Sequence, residues 1–137
     1  MAIRTEFPRP DRLRPHWLTL NGQWQFAFDQ NNQGLRDRWY EKPDFPLRIE
    51  VPFPYQSQLS GINSQEHQDV VWYSRAFTLT PDLMSCRRLL HFGAVDYKAD
   101  VWLDGQHLGG HEGGYSDFTF DITDLTAAGG EHVLTLR

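Results

Sequence analysis

The dipeptide Asp104-Gly105 lies between Val101-Trp-Leu and Gln106-His-Leu, and it constrains this chain more than any other feature. A two-residue hairpin loop of type I′ needs positive φ at both central positions, which Asp and Gly tolerate. The dipeptide therefore predicts two antiparallel strands in tight register. Residues 91–121 around it read as strand, strand, tight turn, strand, glycine-rich loop and strand, with polar groups gathered at the loop. Whether that loop serves the fold or a ligand is the main functional question the sequence poses.

The remaining residues repeat the β pattern. Trp24, Phe26 and Phe28 alternate with Gln23, Gln25 and Ala27, a period of two that predicts a strand with one buried face. Residues 70–80 place Val71, Tyr73, Phe77 and Leu79 on one side and Val70, Trp72, Ala76 and Thr78 on the other. Further strands are expected over 87–95, 118–122 and 131–137. Residues 47–54 carry Pro52 and Pro54, so they predict an edge strand, because proline cannot donate to a ladder. Residues 35–40 have room for one helical turn before Pro43 and Pro46. Residues 55–68 are a long polar loop, of the kind that is usually functional or mobile. Short strands spaced by turn signals, with no helix beyond a turn or two, predict an all-β antiparallel β-sandwich.

The length of 137 residues fits one domain, read here as an extended arm over 1–20 and a sandwich over 21–137. The arm has Pro8, Pro10 and Pro15, with Trp17 and Leu18 as candidate anchors. The chain stops inside an apolar strand, which predicts a sandwich truncated at that end. Aromatics make up 14% of the residues, enough for a core at large buried area per side chain. Net charge is −5, and the arginines near the start are interrupted by Pro8, Pro10, Glu6 and Asp11. Without a clustered positive surface, neither nucleic acid nor an anionic membrane is an expected partner. The amino terminus lacks the apolar core of a signal peptide and no run suits a membrane span, so a soluble, cytoplasmic protein is expected. Cys86 is the single cysteine, read as an inert thiol that excludes an internal disulfide.

Candidate chemistry is concentrated in the last third. Asp104 is explained by the hairpin turn, and Asp121 and Asp124 by turn and cap chemistry. Asp96, at a strand end, and Glu112, on the loop, remain candidates for a ligand. His107 and His111 are four apart, a spacing that serves metal ligation on a helix, but the surrounding glycines rule a helix out. No metal and no cofactor are expected. Gly109-Gly110-His-Glu-Gly113-Gly114 matches neither phosphate-binding glycine pattern and opens no helix, so it reads as a tight loop from which His111, Glu112 and Tyr115 project. Trp39, Tyr55, Trp72, Trp102 and Tyr115 have faces suited to stacking on sugar rings, although alternating positions assign most of them to the core.

Seven blocks, in order, give the chain a family likeness. They are Leu20-Asn-Gly-Gln-Trp-Gln-Phe26, Val51-Pro-Phe-Pro-Tyr-Gln-Ser57, Val71-Trp-Tyr-Ser-Arg75, Leu90-His-Phe-Gly-Ala-Val-Asp-Tyr97, Ala99-Asp-Val-Trp-Leu-Asp-Gly105, His111-Glu-Gly-Gly-Tyr115 and Phe120-Asp-Ile-Thr123. Together they resemble the amino-terminal sugar-binding domain of glycoside hydrolase family 2, which includes β-galactosidases, β-glucuronidases and β-mannosidases. The resemblance implies a jelly-roll sandwich of the galactose-binding-like kind, joined in full enzymes to an immunoglobulin-like domain and a catalytic (β/α)₈ barrel. It implies that the catalytic glutamates lie in that barrel and that none is present here. It further implies a β-glycoside as ligand, the remaining domains of a parent enzyme as partners, and assembly into a homo-oligomer. The segments matching loops that reach the barrel's mouth hold Tyr55, Gln56, Asp96, His111, Glu112 and Tyr115, the expected substrate-facing residues. The alternative is a free-standing carbohydrate-binding module. Exposed tryptophan or tyrosine faces favour the module, and buried tryptophans with a bare docking face favour the enzyme domain.

Overall fold

The computed structural model describes residues 14–137. Eight strands form: β1 (Gly22–Phe28), β2 (Leu47–Val51), β3 (Val71–Thr78), β4 (Leu89–Phe92), β5 (Lys98–Leu103), β6 (Gln106–Glu112), β7 (Phe118–Asp121) and β8 (Glu131–Leu136). Among the described residues the one α-helix is a single turn, α1 (Pro81–Met84), with proline in its first turn. Six strands make one sheet in the order β2-β1-β3-β8-β5-β6, and β4 and β7 pair as a second. Every pairing is antiparallel. This is the sandwich that the alternating pattern predicts.

Between the two sheets, the period of two delivers its apolar side chains as expected. Trp24, Phe26, Ile49, Phe77, Leu90, Val101, Leu103, Ile122, Leu134 and Leu136 form one buried cluster. Several of its aromatic contacts are edge-on, as ring quadrupoles prefer; Phe26 meets Phe28 and Tyr73 at 5.0 Å each. The other face of the large sheet is also covered. There Ala27, Trp72 and Trp102 pack with Phe45, Trp39 and Tyr40 from the segment between β1 and β2. Tyr40 lies flat on Trp102 at 5.0 Å, and Trp102 on Trp72 at 5.4 Å.

Asp29 ties that segment down. Its carboxylate accepts from the amides of Gln33 at 2.8 Å and Gly34 at 2.9 Å, and from the Trp72 indole at 2.9 Å. Burial pushes its pKa up, but the three donors outweigh burial and hold it below the usual carboxylate value. Gly34 is needed for the approach, since a Cβ there would stand 2.5 Å from the Trp72 indole nitrogen.

Several expectations shift in detail. Residues 1–13 of the predicted arm lie outside the described residues. Within the remainder, the clearest anchor is Leu20, which packs on the core and whose carbonyl accepts from Trp24 at 2.7 Å and Arg75 at 2.8 Å. Trp17 and Leu18 are exposed. Residues 35–40 form consecutive turns rather than a helical turn, and Arg38 has a φ of 54° that no helix accommodates. The strand expected over 87–95 contracts to β4, and just before it Arg88 is buried with its guanidinium on Thr126 and on the carbonyls of Met84, Cys86 and Thr123. The glycine loop also begins later than the sequence suggests. Gly109 and Gly110 lie within β6, where a side chain would press on the Phe120 ring and on the Ala99 carbonyl, each 3.0 Å from the Cβ position.

Candidate functional site

The β5–β6 hairpin builds the site. Asp104 and Gly105 have φ of 51° and 79°, the two positive values that a type I′ turn requires. Asp104 is further held by the Val133 amide and the His132 ring, each at 2.7 Å from its carboxylate. Along the hairpin, Trp102 pairs with His107, a bulge shifts the register, and Lys98 then faces Glu112. At that far end the chain entering β5 and the chain leaving β6 lie side by side.

Contacts of four kinds fix this end. The Gly113 amide donates to the Tyr97 carbonyl at 2.8 Å. Lys98 Nζ meets Glu112 Oε1 at 3.0 Å, and that bond with the carboxylate's charge raises the Lys98 pKa. His111 stacks on Phe118 at 4.4 Å, its Nε2 lies 3.3 Å from Ser116 Oγ, and its Nδ1 is buried without a hydrogen-bond partner. The Asp96 carboxylate packs where a side chain on Gly114 would stand. His91 adds a contact to Thr119 at 2.9 Å and approaches Asp117 at 4.0 Å.

The structure thus brings Asp96, His111, Glu112 and Tyr115 to one end of the sandwich. They differ in what they offer. Asp96, Glu112 and Tyr115 are exposed, whereas His111 is half-buried and turned onto Phe118. Tyr55 and Gln56 belong to the loop after β2. The Tyr55 ring is buried against Phe26 and Phe28, and its hydroxyl donates to the Glu66 carbonyl at 3.3 Å. Burial, with Tyr55 as a secondary influence, pushes the neighbouring Tyr73 phenol up to about 12. Gln56 is exposed, and its carbonyl accepts from Gln65 at 2.7 Å.

The remaining candidates take structural parts. His107 and His111 diverge, His107 facing Asp100 at 3.1 Å and Trp102 at 5.1 Å, so the pair does not converge on a metal. Asp121 accepts from Thr123 and from Arg87 at 2.7 Å, which hold its pKa down at about 2. Trp24, Trp72 and Trp102 are buried, so their faces are committed to packing.

Residues 18–136 match the family described as "Glycosyl hydrolases family 2, sugar binding domain". The chain belongs to glycosyl hydrolase family 2. Among curated relatives, it is 35% identical to a β-glucuronidase of Felis catus over 90% of this chain and 20% of that one. It is 29% identical to a β-glucuronidase of Paenibacillus borealis over 95% of this chain and 22% of that one. A solved β-glucuronidase from an uncultured Clostridium superposes with a TM-score of 0.74 at 35% identity, covering 85% of this chain and 21% of that one. The family 2 chain described here therefore spans about a fifth of the enzymes it matches, as their sugar-binding sandwich.

Sequence reasoning missed Tyr97, Lys98 and Ser116 at this end. Tyr97 directly follows the candidate Asp96. The signal for Lys98 was its opposite charge to Glu112, hidden because counting back from the turn without the bulge pairs Lys98 with His111.

Proposed function

We propose that this chain is the non-catalytic amino-terminal sandwich of a β-glucuronidase-type glycosidase, bracing a catalytic barrel and lining one side of its sugar site. One observation carries the reading: the family match over 18–136 coincides with β-glucuronidases of which the chain spans about a fifth. The chemistry of the loop end supports it. Retaining glycosidases need two carboxyl groups about 5–5.5 Å apart across the scissile bond, one of them in a setting that raises its pKa. Glu112 is instead tied to Lys98 on an open surface, an arrangement suited to hydrogen-bonding a sugar and unsuited to acid catalysis.

In this reading Gln56, Asp96, Glu112 and Tyr115 supply polar and aromatic contacts to the substrate, while Tyr55 and His111 hold their loops in place. The buried tryptophans favour the enzyme domain, whereas the exposed faces of Tyr97 and Tyr115 are the feature that favours a free-standing carbohydrate-binding module. Assay of the full product of the gene with aryl β-glucuronide, β-galactoside and β-mannoside tests the proposal. Turnover of the glucuronide is expected from that product and none from residues 1–137 alone. Hydrolysis by the isolated chain that disappears in Glu112→Gln would overturn it.

A further inference from the structure

Of the four candidates gathered at the loop end, His111 is the one turned inward, and its contacts tie the loop to both sheets. Its ring lies nearly parallel to Phe118 of β7, with centroids 4.4 Å apart and planes 12° apart. Phe118 in turn stacks on Phe92 of β4 at 4.7 Å and 13°. Because β6 belongs to the six-stranded sheet and β4 and β7 form the other, these three rings make a ladder from one sheet to the other.

The polar edge of the same imidazole faces back to its own loop. Nε2 lies 3.3 Å from Ser116 Oγ, which closes residues 111–116 on themselves. Gly113 permits that closure. Its φ is 131°, and a Cβ there would stand 2.9 Å from Ser116 Oγ and 3.5 Å from His111 Cε1. The other ring nitrogen decides which way the hydrogen bond runs. Nδ1 is buried and has no partner, so a proton on it would be a buried donor left unpaired, an arrangement that folded proteins avoid. On Nε2 the same proton has Ser116 Oγ as its acceptor. In the neutral imidazole the hydrogen therefore sits on Nε2.

We propose that His111 and Ser116 form a clasp, His111 Nε2–H donating to Ser116 Oγ, which positions the loop between them and with it Glu112 and Tyr115. His111 and Ser116 are thus positioning residues, acting through the backbone they close. That the loop so held faces a sugar rests on the glucuronidase reading above; the clasp itself rests on the ladder, the Ser116 contact and the buried Nδ1.

Two measurements on the 137-residue chain test the clasp without any substrate. Nitrogen-15 nuclear magnetic resonance of the neutral His111 ring is expected to show Nε2 as the protonated nitrogen and Nδ1 as the bare one. Ser116→Ala removes the acceptor at an exposed position and leaves the ladder alone, so amide exchange over 113–116 should quicken by about three- to tenfold, the worth of one net hydrogen bond. His111→Phe keeps a ring for the ladder and should quicken the same amides, with β4 and β7 unchanged. Ser116→Thr keeps the hydroxyl and should restore slow exchange. A proton found on Nδ1, or loop exchange unaltered in both Ser116→Ala and His111→Phe, would overturn the clasp. In the full gene product, Ser116→Ala should raise KM for an aryl β-glucuronide by about three- to tenfold with kcat unchanged, as for a lost ground-state contact. An unchanged KM beside quickened loop exchange would overturn the positioning role. Absence of glucuronide turnover in the unmutated gene product would defeat the proposed function alone, since tautomer and exchange are read without it.

Discussion

At the scale of single residues, Asp29 shows how one carboxylate organises a stretch without regular structure. Its three donors come from two turn amides and a buried indole, and each loses its partner if the acceptor goes. Leaving a buried donor unpaired costs about 1–3 kcal/mol. Asp29→Asn keeps one acceptor oxygen but turns an amino group toward donors, so a loss of about 2 kcal/mol in urea unfolding is expected. The folded pKa lies below the ordinary value, so the stabilisation is fully present above about pH 4 and is lost as pH falls through the folded value. The gap between wild type and variant should therefore narrow below about pH 4. A gap that stays constant on acidification would show that shape rather than charge is what Asp29 supplies. Nothing in the local sequence marks this role, since Asp29 reads simply as the end of an alternating strand.

At the scale of elements, the β5–β6 hairpin links fold and site. Gly105→Ala should cost about 1 kcal/mol, the penalty for a Cβ at its positive φ. Asp104→Ala should cost more, about 2 kcal/mol, because it also removes the acceptor for the Val133 amide. Asparagine tolerates the same backbone and keeps one acceptor oxygen, so Asp104→Asn should cost less than half as much in the same urea titrations. Equal losses for alanine and asparagine would mean the bonds to β8 contribute nothing. The turn was legible because its two residues carry their own conformational preference. The bulge between Val101 and Trp102 was not; Gly109, which faces Val101 beside that shift, leaves no room for a side chain against the Phe120 ring, a contact distant in sequence. That single-residue slip sets Lys98 opposite Glu112 and so shapes the loop end.

At the scale of the whole molecule, the two layers are unequal. β3 and β8 sit at the centre of a six-stranded sheet, each bonded on both sides, while β4 and β7 pair only with each other. Backbone amides open locally where few neighbours hold them. Hydrogen exchange should therefore find the slowest amides in β3 and β8, with β4 and β7 exchanging about tenfold faster or more. Uniform protection across both sheets would show a single cooperative unit instead. The sequence by itself determined the all-β class, the faces of β1 and β3, the hairpin and the family likeness, because alternation and turn chemistry are local properties that tertiary contacts only confirm. It also nominated the loop end as the candidate site. Tertiary structure alone decided which candidates remain available there. Packing took Tyr55 and turned His111 inward, and pairing tied Glu112 to Lys98. Tyr97 and Tyr115 were left open to solvent. Burial depends on neighbours that are remote in sequence, so no pattern along the chain could have separated these residues.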